Sequence, residues 1–187
     1  MLDKQGRERR YDLAPLEGFG SREVGLAAAV LDELRERVYD QVADLPVEAM
    51  NFYPGTTRLT IGRLMLHLGW AEATWMRRLS GRELPEDLNN RLGAGALQIF
   101  GEEPTKVGEP SELIAVCRRV RDEVALPYLK EVQDIDEVRM EDGTTVRGVL
   151  MHLTWHWIYH SGHIGLVRLE WGSDYTWTIH RPLRPSK

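Results

Sequence analysis

Cysteine is almost absent: Cys117 is the only one in 187 residues. That excludes an intramolecular disulfide framework and any Cys-x-x-Cys zinc or redox site. Long apolar runs are missing as well, with no stretch near the roughly 18 consecutive apolar residues of a membrane span. The start, MLDKQGRERRYD, is charged throughout and carries no apolar signal core. Positive charge is not in excess, since 24 Lys+Arg against 29 Asp+Glu give a formal net charge of −5. The electrostatic footprint of a general nucleic-acid binder is therefore lacking. The short basic cluster Arg7, Arg9 and Arg10, with Asp3 and Glu8 beside it, reads as a solvated terminus. There is no repeat period, no low-complexity tract and no strand pattern long enough for a sheet. These absences predict a single cytoplasmic domain, residues 1–187, that acts on small molecules rather than on nucleic acid or membrane.

What is present is helical periodicity. Ser21 is a candidate N-cap, followed by Val24, Ala27, Leu31, Leu34, Val38 and Val42 at three- and four-residue steps until Pro46. A second pattern starts near Thr60 and runs through Leu64, Leu68, Ala71 and Trp75 to Gly81, where a left-handed cap is expected. The third begins at Ser111 after Pro110 and contains Pro127, which should kink it or end its regular part. The fourth spans Thr144 or Thr145 to Trp171-Gly172 and has no proline. These patterns predict an all-α four-helix bundle with its core at about residues 21–172. Between the second and third helices a long connection, Gly81 to Pro110, has room for a short helix within 87–100. The turn at Met140–Thr145 reads as a small hairpin or a tight loop. Tyr175, Trp177 and Ile179 alternate in the tail, which predicts an extended segment lying along the bundle.

Histidine carries the chemical signal. Four of the six histidines, His152, His156, His160 and His163, lie within twelve residues of the fourth helix. At about 100° per residue they share an arc of about 80° beside the apolar stripe. His67 flanks the apolar face of the second helix in the same way, and His67-Leu-Gly-Trp echoes His152-Leu-Thr-Trp. Clustered buried imidazoles repel when charged and need partners for both ring nitrogens. A divalent cation satisfies both needs, because neutral histidine is the commonest metal ligand. One ion with bonds near 2 Å cannot span the roughly 16 Å from residue 152 to residue 163. A neighbouring pair from this helix plus His67 therefore forms the natural triad, with positions left open for water or substrate. The competing reading gives these side chains to caps, carbonyls and solvent. Glu-x-x-His pairs of di-iron bundles, His-Glu-x-x-His and Cys-x-x-Cys-His are all absent.

The run Thr60-Ile-Gly-Arg-Leu-Met-Leu-His67, the pair His156-x-x-x-His160 and the following Ser-Gly-His-Ile with Arg168 resemble the DinB-like superfamily. The resemblance covers roughly Ser21 to Gly172. It implies that His67, His156 and His160 bind a divalent metal, zinc or nickel. It also implies an activity of the kind found in bacillithiol- or mycothiol-dependent S-transferases or in mycothiol-dependent maleylpyruvate isomerase. The usual His-Arg-Gly-Gln of that family is altered here, with Ser161 in place of Arg and His163 in place of Gln. The ligand pair is untouched, while its surroundings and substrate are open to change.

His152 and His163 flank the proposed pair as candidates to orient a ligand, shuttle a proton or simply pack. Arg168 is a candidate for a substrate or cosubstrate anion, or for pairing with Glu170 or Glu72. Cys117, at helical spacing from Leu113 and Val120, reads as core. Tyr159 projects about 100° from His160 and is discounted as an acid. The expected function is a metal-dependent S-transferase or hydrolase that activates a low-molecular-weight thiol or water against a small electrophile. The rivals are a non-catalytic bundle braced by its metal, and a stress-related interaction protein. The tryptophan-rich surface is expected to make a homodimer or partner face.

Overall fold

Thr145 opens the longest helix by accepting a hydrogen bond on its side chain from the Gly148 N–H. Thr60 does the same for the Arg63 N–H at the start of the second pattern, and Gly81 closes that helix with φ of 69°. At both starts a hydroxyl satisfies an orphan N–H. At the close, glycine takes the left-handed conformation without steric cost. The computed structural model describes residues 3, 6–8, 11–55, 59–96 and 106–175. Its helices are α1 (Arg22–Val42), α2 (Val47–Met50), α3 (Ile61–Ser80), α4 (Glu86–Ala96), α5 (Pro110–Arg119), α6 (Leu126–Glu131) and α7 (Val146–Glu170).

The fold is all-α: α7 packs on α1 and α3, α3 on α5, and α6 on α1, which closes a four-membered bundle. Its core includes Leu31, Val38, Leu64, Leu68, Leu113, Leu153, Trp157 and Ile164. The short α2 had no periodic signal of its own. Within the long connection α4 lays Leu88 and Leu92 against Ala73, Val116 and Val120, a small second core over α3 and α5. The rest of the helix expected within 87–100 lies outside the described residues, as do Trp177 and Ile179 of the tail. Tyr175 is buried and donates its hydroxyl to Asp40 of α1. The 140–145 turn is a hairpin, with one bridge between Val138 and Thr145 and Gly143 at φ 84°.

Pro127 ends the regular part of the third helix without breaking it. Between α5 and α6 the chain makes a π-helical turn, Val120–Ala125, and the Leu126 N–H bonds to the Arg121 carbonyl five residues back. Proline has no N–H and its ring crowds the carbonyl four residues earlier, so a wider turn accommodates it. The N-terminal segment departs from the solvated reading: Asp3 is buried, and Arg7 bonds both Asp3 and Glu33 of α1. Arg9 and Arg10 lie outside the described residues.

Candidate metal centre

Antiparallel packing of α3 on α7 sets the register of the histidines. His67, in the second turn of α3, meets His156 and His160 on adjacent turns of α7, with ring centroids 4.7 and 4.9 Å away. The His67 and His156 Nε2 atoms are 2.8 Å apart. One ring nitrogen from each of the three lies within 4.8 Å of those of the other two. Among the described residues no other trio of His, Cys, Asp or Glu is placed to share an ion. The echo of His67 in His152 is therefore not a contact: His152 lies a turn away, against Trp75 at 5.0 Å.

Burial makes these imidazoles neutral. Desolvation pushes His67 down to about 4 from its ordinary 6.5. His156 falls to about 4 for the same reason, with added repulsion from His67 and His152. His160 falls to about 3, chiefly by burial and then by repulsion from His156, His67 and His163. Each ring thus keeps a lone pair at neutral pH, the form that ligates a metal. The donor set fits a divalent cation: all three are neutral nitrogens, and two of them crowd within hydrogen-bond distance with no carboxylate between them. Borderline ions such as zinc and nickel suit imidazole.

These depressed values have a sign that can be tested on metal-free protein. The unfolded chain takes up protons below about 6.5, while the folded triad resists them down to 3–4. Between those limits the unfolded state binds more protons, so stability rises with pH and is lost as pH falls through that window. Thermal melts of chelator-treated protein should show Tm dropping steadily from about pH 6.5 to about pH 4.5. Removing all three imidazoles should flatten the profile; an unchanged slope in that variant would contradict the account.

The other expected residues are placed as follows. His163 brings its Nδ1 to 3.3 Å from the His160 Nδ1, which leaves the His160 Nε2 free to face the triad. The Nδ1 atoms of His67 and His156 are buried and have no protein partner. Tyr159 is closer to the site than its angle from His160 suggested: its ring is 4.4 Å from His163 and 5.2 Å from His160. The spacing that signals this is 159 to 163, one helical turn. Trp70, one turn after His67, stacks on it at 6.0 Å. Arg168 is buried and committed elsewhere. It donates to the Gln41 carbonyl, Asp44, Ser173 and the Asp174 carbonyl, so neither Glu170 nor Glu72 is its partner. Cys117 is buried, contacts the Met65 carbonyl at 3.6 Å, and is pushed up to about 12 by burial. It is a packed thiol rather than a nucleophile.

A four-membered bundle whose two facing helices bring histidines together is a DinB-like arrangement. The family model of mycothiol-S-transferase matches residues 26–171, most of the chain and all three triad histidines. The chain belongs to that family. No curated protein matches it.

Proposed function

We propose that this protein is a metal-dependent S-transferase in which His67, His156 and His160 hold one divalent ion, zinc or nickel. A low-molecular-weight thiol, mycothiol in first place, would add to a small electrophile. The observation that carries this reading is the convergence of three neutral ring nitrogens within 4.8 Å. Three protein ligands leave coordination positions open, and a metal so bound lowers the pKa of a ligand and supplies a nucleophile near neutral pH. In the net reaction the thiol S–H bond breaks, a carbon–sulfur bond forms, and the bond from carbon to the leaving group breaks with its electrons. The family match favours the thiol over water as nucleophile, and so transfer over hydrolysis. A thiol cosubstrate that must stay reduced suits the cytoplasm.

The protein's own contribution is to hold the imidazoles in one protonation state and orientation. His163 fixes the His160 ring through Nδ1, as partners of ligating histidines do elsewhere. Replacing His163 by Ala should weaken metal affinity by about 10–100-fold, the usual cost of such a partner. His163→Gln should recover part of it, read by competition with a metal-binding dye. His152, which is exposed beside Trp75, walls one side of the approach.

The activity itself is tested by offering metal-loaded protein mycothiol, bacillithiol or glutathione with a fluorogenic alkylating agent. Turnover above the uncatalysed rate with mycothiol is expected. Metal-loaded protein that conjugates none of the three would overturn the reading.

A further inference from the structure

The outer face of α7 is apolar along its whole length. Residues 148–167 include no Asp, Glu, Lys or Arg, and the Arg168 that follows is buried. Met151, Trp155, Ile158, Leu166 and Leu169 are between 47% and 67% exposed. With the exposed Gly162 they fall within an arc of about 80°, at about 100° per residue. The triad histidines lie on the other side of the helix, toward α3. A bundle helix normally turns a polar face to water, so this face is made to be covered. Below Met151 it continues into an apolar groove of about 410 Å³ between α1 and α7, lined by Leu26, Ala27, Val30 and Leu150.

We propose that this stripe is a homodimer interface, in which α7 packs antiparallel on α7 of a second copy. Three observations select a second copy over another occupant. The first is size. Counting about 150–250 Å² for each fully exposed aromatic and less for each aliphatic, the stripe with Tyr159 opens roughly 600–800 Å². An ordinary stable interface buries about 800 Å² per partner. The second is charge: with no charged group on the stripe, nothing repels an identical face.

The third is shape. A twofold axis at the level of residue 160 sets Met151 opposite Leu169, Ile158 opposite Gly162 and Trp155 opposite Gly165. Bulky residues thus meet glycines, as an isologous contact requires of one self-complementary surface. A Cβ at Gly162 would meet nothing within 4 Å, and one at Gly165 would meet only the Gln41 amide nitrogen at 3.8 Å. Both positions are notches open to an incoming side chain. Tyr159 borders the stripe and touches His163 and His160, so the second copy would also shield that edge of the histidine cluster.

Sedimentation of the full chain at tens of micromolar should give about twice the 21.5 kDa of one chain. Ile158→Glu and Gly162→Lys, both on exposed positions, should each yield folded monomers. Association should weaken at least about 100-fold, because symmetry places each change twice in the interface. A mixture of the two variants should reassociate. In the mixed dimer the new carboxylate at position 158 of one copy faces the new ammonium at position 162 of the other, while the second Ile158–Gly162 contact stays native. A 21.5 kDa wild-type monomer overturns the proposal, whether residues 176–187 or another protein then covers the stripe. A wild-type dimer that survives both single changes, or a mixture that stays monomeric, overturns the pairing.

Discussion

His156→Ala is expected to yield a folded bundle that no longer retains a divalent ion through gel filtration and has no thiol-transfer activity. Structural zinc sites bind with an apparent 10–16 kcal/mol, and removing one of three protein ligands forfeits about a third of such a figure. Affinity should fall by about 10²–10⁴-fold. His67→Ala and His160→Ala should behave alike, since the three donor atoms lie within 4.8 Å of one another and no carboxylate stands by as a substitute. The measurement is metal per chain by elemental analysis, alongside the melting temperature. Retention of full metal content by all three variants would show that the ion sits elsewhere.

The melting temperature separates a working ion from a bracing one. Leu64 and Leu68 of α3 and Leu153, Trp157 and Ile164 of α7 are fully or almost fully buried in one core. Packing of the two helices therefore does not depend on the ion. A modest fall in Tm with complete loss of activity is the expected outcome. A collapse of the fold in each variant would instead make the metal a structural brace.

Helices with one apolar face were legible because burial repeats at the helical period. Thr60, Thr145 and Gly81 marked their ends by chemistry that acts within one turn. The histidine triad was legible in outline for the same reason, but its partner choice was not. Whether His67 meets 152, 156 or 160 depends on how far α3 slides along α7, and that is set by tertiary packing of the leucines around them. Arg168 and Glu72 were harder. A charged residue in a helical pattern reads as a solvated face, yet both are buried with specific partners. Those partners, Asp44 for one and Arg35 for the other, sit far away in sequence. Pro127 announced a disturbance without specifying that a π-turn would absorb it.

Replacing Glu72 by Leu should be the most destabilising single change outside the triad. Glu72 of α3 accepts from the Arg35 Nε at 3.0 Å and from the Trp157 Nε1 at 3.2 Å, and its other oxygen bonds the Arg35 Nη2. Both charged groups are buried, and the Glu72 carboxylate drives the Arg35 guanidinium well above its ordinary value against the opposing cost of burial. One carboxylate thus ties α1 to α7, where Trp157 follows His156. Removing it strands the guanidinium of Arg35 with only Asp32 for a partner.

Breaking a buried pair by deleting one member costs about 3–5 kcal/mol. At about 2–4 °C per kcal/mol for a chain of this size, Tm should fall by roughly 10–15 °C. The desolvation of both charges opposes their attraction, so the double variant Arg35→Met/Glu72→Leu should recover most of that loss. The remainder, about 1–2 kcal/mol, is the indole N–H of Trp157 left without an acceptor. Thermal melts of the two single variants and the double variant form the cycle that tests this. If the double variant is as unstable as the sum of the singles, Glu72 and Arg35 act through other partners and not through each other.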